Sequence, residues 1–209
     1  MNPDDLKSHL HRALRQARRA MTWKLDGLSE FDRRRPCTPS GTNLLGLVKH
    51  LSGVEMLYFG VVFERAMPDP PAWFGEHAAP HADFWATEDE SSGESGDLYR
   101  RASEHADTTI EQVPLDAVGA VPWLGGTMTL HQVLVHVVAE TQRHAGHADI
   151  IRELIDGAVG EHRDDSQMRL AVPAGGLRDD DEWTRYRERV ARTAESFADQ
   201  TGDRREDDR

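Results

Sequence analysis

The chain has 209 residues, a net charge of −12 and a pI near 5.3. That length allows one domain with a real core plus an appendage, and so acidic a chain argues against nucleic acid or an anionic membrane as its main partner. Its one cysteine, Cys37, excludes an intrachain disulfide and fits a reducing compartment. The opening MNPDDLKSHL is polar and acidic, unlike a signal peptide, and no apolar run is read as approaching the roughly 20 residues that span a bilayer. The expectation is a cytoplasmic protein.

Asn2, Pro3, Asp4 and Asp5 predict a helix start: a cap, a proline at the first position and acids in the first turn. Leu6, Leu10, Leu14, Met21, Leu25 and Leu28 carry its apolar stripe to about residue 28. A connection rich in Arg, Pro and Gly covers residues 29–41. A second helix is predicted over about 42–65, with Leu44, Leu47, Val48, Leu51, Val54 and Tyr58 inward, His50 beside that stripe and Glu55 nearby. Residues 67–93 read as a long loop. Its Trp73, Phe74, Phe84 and Trp85 argue that it packs over something, as functional lids do. A third helix is predicted over about 95–113, with Leu98, Ala102, Ala106, Ile110 and Val113 facing in. The link PLDAVGAVPWLGGTM reads as a turn or short extended piece around Trp123 and Gly125-Gly126.

Residues 129–157 organise the chain. Leu130, Leu134, Val137, Ile151, Leu154 and Ile155 recur at helical spacing, Thr129 and Gln132 form a capping-box start, and Gly157 is a stop. After Gly157 comes a polar segment to about 179, then an amphipathic helix over about 181–198 with Trp183, Tyr186, Val190 and Phe197 on one side, and a tail expected to be disordered. Long helices without a convincing strand pattern indicate an all-α protein: a four-helix bundle over 1–160, with 161–209 as linker, appended helix and tail.

The middle of the inward stripe is polar. His136, Glu140 and His144 stand at i, i+4 and i+8 on one side of the helix, and His147 follows three residues later. Buried polar groups need partners. One solution is a metal ion, on which His50 and the Glu140-x-x-x-His144 pair can converge. Zinc, nickel, iron and manganese all accept imidazole and carboxylate, and three protein ligands leave a position open, as in catalytic sites. The other solution is a hydrogen-bonded polar layer of His50, Glu140 and His144. His147 and His136 read as neighbours of the site rather than ligands, and Arg143 as a residue that could reach an anionic substrate. Arg152 reads as part of a surface ion pair with Glu153 or Asp156. Glu55 is either a carboxylate behind His50 or a solvated side chain. Cys37, beside Arg33, Arg34 and Arg35, reads as incidental, and most of the remaining histidines as surface residues.

HVVAETQRHAGHADIIRELIDG together with SGTNLLGLVKHLSGVE resembles the DinB/YfiT-like superfamily of metal-binding four-helix bundles, in particular its actinobacterial branch, over roughly residues 3–157. Many members of that superfamily carry one histidine on the second helix and an H-x-x-x-H pair on the fourth. Here His50 and His144 match the first and last of these, and Glu140 departs from the commonest pattern. The resulting His, Glu, His set is similar to that of the mycothiol-dependent maleylpyruvate isomerases. The resemblance implies a divalent transition metal held by His50, Glu140 and His144, with zinc favoured and nickel, iron or manganese possible. It further implies a metal-dependent thiol S-transferase or isomerase, using mycothiol as thiol cosubstrate, in which a metal-held thiolate attacks a small electrophile. The alternatives are a non-catalytic metal- or ligand-binding stress-response bundle and a metal-dependent hydrolase. A homodimer is expected, with no nucleic-acid or membrane partner.

Overall fold

The computed structural model describes residues 3–75, 77–162 and 180–198. Two compact units divide the chain, Met1–Ser166 and Gln167–Arg209. The protein is helical, as expected, with a single two-stranded sheet among the described residues.

Helix α1 spans Pro3–Thr22 with Asp4 and Asp5 in its first turn; Asn2, read as its cap, lies outside the described residues. It stops earlier than predicted. A single 3₁₀ turn, Trp23–Leu25, follows, and Gly27 then takes φ +72°, a left-handed conformation that glycine adopts without a steric penalty. The chain turns there into a short helix α2, Glu30–Arg34, capped by Ser29, inside what the sequence presents as an irregular connection. The apolar stripe continues around this corner: Leu14, Met21 and Leu25 are all buried.

Helix α3, Leu44–Glu55, is capped by Asn43, whose Oδ1 accepts from the Gly46 amide at 2.7 Å. It runs on through a π turn, Met56–Gly60, and a 3₁₀ turn, Val61–Phe63, before Glu64 ends it at φ +55°. The whole run Leu44–Phe63 is long and apolar enough to cross a membrane, contrary to the sequence reading. Most of it is buried inside the protein, so the core accounts for its composition.

Helix α4, Ser92–Gln112, begins three residues earlier than predicted because Ser91 and Glu94 form a capping box. The link that follows is a β-hairpin. Strand β1, Val118–Val121, pairs antiparallel with β2, Gly126–Thr129, so that Val118 faces Thr129 and Val121 faces Gly126. Gly125, at φ +62°, closes its turn. Gly119 lets the hairpin lie against the end of α3: a Cβ there would sit 2.3 Å from the Val62 carbonyl oxygen. Helix α5, Leu130–Asp156, starts in the predicted Thr129–Gln132 capping box and ends at Gly157, φ +78°.

α1 packs along α5, and α3 packs against both α4 and α5. Leu14, Leu44, Leu51, Phe59, Ile110, Leu130 and Leu134 fill the shared core, and each large apolar side chain so buried contributes about 1.5–3 kcal/mol. Of the residues expected to face in near the end of α5, Ile151 is buried but Leu154 is 71 % exposed.

Two charged residues expected at the surface or beside the site, Glu55 and Arg152, are buried instead. Glu55 is neither solvated nor behind His50: both its oxygens accept from Arg18 at 2.7 Å, and Arg18 also pairs with Asp107. Burial pushes the Glu55 carboxyl up, against the pull of Arg18. His11 joins this network through Asp107 at 2.7 Å. Arg152 is fully buried, donating to the Lys24 carbonyl at 2.7 Å as well as to Asp156. Its guanidinium lies over the Trp23 ring, 5.3 Å from the centroid. In the second unit, helix α6 spans Asp180–Glu195, with Trp183 and Tyr186 edge to face at 5.9 Å. The predicted linker and tail lie outside the described residues apart from their edges.

Candidate metal centre

α3 and α5 run antiparallel, so a residue late in α5 meets one early in α3. His144 lies edge-on to His50 with ring centroids 4.9 Å apart, while His136, two turns earlier in α5, lies 4.6 Å from Tyr58. Glu140 and His144 are one turn apart, and the Glu140 carboxylate comes to both histidines. Its Oε1 is 3.0 Å from His144 Nε2 and 3.6 Å from His50 Nε2. The three candidate ligand atoms lie within 4.8 Å of one another, and this is the one such group among the described residues. The structure therefore brings together the three residues singled out in the sequence.

The fit to a metal ion rests on His50. Its Nδ1 is 2.7 Å from Asp83 Oδ2, and Phe84 stacks on its ring at 4.2 Å and 16°. An ionised carboxylate only accepts, so the imidazole proton belongs on Nδ1 and Nε2 carries a lone pair. That Nε2 is buried with no hydrogen-bond partner, and 3.6 Å to another acceptor is too long to be one. A hydrogen-bonded polar layer would satisfy this atom; the observed arrangement does not. A cation would. Four donors placed tetrahedrally at about 2.1 Å from zinc lie about 3.4 Å apart, close to the two separations Glu140 makes. His144 Nδ1 and Thr141 Oγ1 are also buried without partners.

The protonation states suit the same purpose. Burial, then the neighbouring His50, lower the pKa of His144 against the pull of Glu140. Burial works to raise Glu140, but the hydrogen bond from His144 at 3.0 Å and the electrostatic pull of the two neighbouring histidines prevail and hold it below the ordinary carboxylate range. Neutral imidazole and ionised carboxylate are the forms that ligate.

The other candidates stay outside the group. His147 is solvent-exposed, its ring 5.4 Å from that of His144. His136 belongs with Tyr58, which meets Trp123 of the hairpin turn edge to face at 5.5 Å. Arg143 sits at the rim, exposed, 4.0 Å from Glu140. Cys37 contacts the Arg35 carbonyl, packs partly against the core and is not part of this group. Of the aromatic loop, Phe84 lies on the site, and Trp73 packs against α3 near Gly53. The residue the sequence reading missed is Asp83. No periodicity marks it, and its only signal is its place beside Phe84 in a loop too aromatic to be idle.

The helical fold and a His, Glu, His group able to hold a metal ion are consistent with the DinB/YfiT-like superfamily, and a family match places the chain in it. Within it, the chain belongs to the mycothiol S-transferase family, whose model (MST: Mycothiol-S-transferase) matches residues 9–157. No curated protein matches the chain.

Proposed function

We propose that the protein is a metal-dependent thiol S-transferase that uses mycothiol, with His50 Nε2, the Glu140 carboxylate and the His144 imidazole as ligands of one divalent transition metal, zinc first among them. The observation that supports this reading best is the partnerless, buried Nε2 of His50 beside a carboxylate and a second imidazole. Such an ion, when bound, lowers the pKa of a coordinated thiol and so supplies a thiolate at neutral pH.

The chain's own residues do the rest. Two neutral histidines and one carboxylate offset a single unit of the ion's charge, so the centre keeps a net attraction for an anionic sulfur. Phe84, stacked on His50, closes one side of the group against water. The Tyr58–Trp123 pair, which meets His136 two turns before His144 on α5, offers apolar surface for an electrophile. In the transfer, the thiol sulfur forms a bond to an electrophilic carbon. The leaving group departs with its electron pair, and the thiol proton goes to solvent. Where the electrophile is an activated alkene, addition followed by elimination regenerates the thiol and yields an isomer.

The test supplies purified protein with mycothiol and an electrophile, a chlorinated aromatic or maleylpyruvate, with and without zinc. Consumption of the electrophile only when thiol and metal are both present supports the proposal. Metal uptake with no thiol-dependent turnover across such a panel points to a binding bundle, and thiol-independent turnover of an ester or amide points to a hydrolase.

A further inference from the structure

The loop that carries Asp83 is fastened to α3 at several points. Gly46 has no side chain where the loop crosses: a Cβ there would sit 1.9 Å from the Phe84 carbonyl oxygen, so loop backbone lies directly on helix backbone. Asn43, while capping α3, donates through Nδ2 to that same carbonyl at 3.3 Å. One turn later Lys49, 3 % exposed, donates to the Trp85 carbonyl at 2.9 Å and to the Glu90 carboxylate at 2.8 Å. From the other side Arg34 of α2 donates to the Thr87 and Glu90 carbonyls at 2.9 and 2.6 Å. Upstream, His81 is held at φ +61° in a turn closed by the Phe84 amide donating to the His81 carbonyl at 2.9 Å. A side chain with a Cβ takes that conformation at a cost, so neighbouring contacts must hold it.

A loop that merely covered a bundle would not need four anchors within eight residues. What they hold in place is one carboxylate and one ring: Asp83 at 2.7 Å from His50 Nδ1, and Phe84 parallel to the imidazole. Together they fix the position of the proton on His50 and the plane of its ring. We infer that Asp83 is a positioning residue. Presented by the anchored 83–90 strap, it keeps His50 in the Nδ1–H tautomer and aims Nε2 at Glu140 and His144. A carboxylate behind a ligating histidine orients the ring and raises its basicity, and removing one typically costs 10- to 100-fold in metal affinity. A solvent-exposed His–Asp pair would be worth little; here the His50 side chain is 16 % exposed and that of Asp83 34 %.

The part of this inference that concerns affinity rests on the proposed metal site; the part that concerns the tautomer does not. The test therefore has two readouts on the full chain. In metal-free protein, long-range ¹H–¹⁵N spectra of the histidine rings are expected to show His50 protonated at Nδ1 in wild type. Asp83→Ala should shift it toward the Nε2–H form that free imidazole favours. Asp83→Asn, whose amide oxygen still accepts, should retain the wild-type tautomer. Wild type in the Nε2–H form, or an Asp83→Ala variant with the tautomer unmoved, overturns the inference. With cobalt(II) as probe, competition against a chelator should then show a 10- to 100-fold weaker affinity for Asp83→Ala, with shifted d–d bands, and partial recovery in Asp83→Asn. Cobalt bound equally well by wild type and Asp83→Ala overturns the affinity half. A wild-type protein with the inferred tautomer that takes up no cobalt leaves Asp83's role standing and overturns the metal reading instead. Circular dichroism of each variant separates these outcomes from loss of fold.

Discussion

Glu55 lies at the centre of the bundle's charge network, and its replacement should be costly in a way that can be reversed. The bidentate Arg18–Glu55 pair is closed to water, with side-chain exposures of 7 % and 1 %. Glu55→Leu would leave the Arg18 guanidinium buried with only Asp107, itself 21 % exposed, as partner. Breaking a buried pair by removing one member costs about 3–5 kcal/mol, because the remaining charge is stranded. Asp107 keeps part of the interaction, so the lower end applies, about 3 kcal/mol. With a urea m-value of about 2 kcal/mol/M for a unit of this size, the midpoint should fall by about 1.5 M. The double replacement Arg18→Met, Glu55→Leu removes both charges and substitutes apolar volume. It should recover most of that loss, giving a coupling of about 2 kcal/mol or more in a double-mutant cycle. Urea denaturation followed by circular dichroism measures all four corners. A midpoint drop below about 0.5 M for Glu55→Leu, or a double variant as unstable as the two singles summed, would refute the view that these two side chains function as one buried unit.

Three further predictions concern other joints of the structure. Gly46→Ala should displace the strap, since its new methyl would meet the Phe84 carbonyl at 1.9 Å. Cobalt affinity should drop as it does for Asp83→Ala, and an unchanged affinity would show that the strap does not depend on that close approach. Thr129→Ala removes the hydroxyl that caps α5 and should cost about 1 kcal/mol in urea denaturation; a neutral result would mean that the hairpin alone fixes the start of α5. Asp107 is held below its ordinary range: burial opposes this, but Arg18 and His11 prevail. A carboxyl depressed in the folded state contributes stability that is complete above its unfolded pKa of about 3.9 and is lost as pH falls through the folded value. Stability should therefore decline below about pH 4, less steeply in Asp107→Asn, and equal slopes for the two proteins would count against that assignment.

The parts of the fold that were legible in the sequence are those whose information is local. The capping box at Thr129, the stop at Gly157 and the 3.6-residue stripe of α5 all lie within a few residues of what they determine, and α5 begins and ends where they place it. His50, Glu140 and His144 stood out because they interrupt an apolar pattern, and an interruption is visible without knowing what answers it. The partners in the fold were less visible. Glu55 finds Arg18 across 37 residues and Arg152 finds the Lys24 carbonyl across 128, and no spacing rule links such positions. Arg152 looked like a solvent-facing charge, and Glu55 like either that or a carboxylate behind His50, because arginine and glutamate are usually exposed. The break after Thr22 and the hairpin at Val118–Thr129 were masked by continuing apolar residues and by glycines respectively. Asp83 was hidden for a different reason: a loop has no period, so a carboxylate in it looks like any other until the backbone shows which ring it touches.

The central claim is that His50, Glu140 and His144 hold one metal ion together. The most direct measurement is the metal content of tag-free protein after chelator treatment and reconstitution with zinc, wild type beside His50→Ala, Glu140→Ala and His144→Ala. Wild type should hold about one equivalent, and each variant should lose about two orders of magnitude in affinity with the fold retained, because each removes one of three protein ligands. Wild type that takes up no zinc, nickel, iron or manganese, or variants that bind as tightly as wild type, would contradict it.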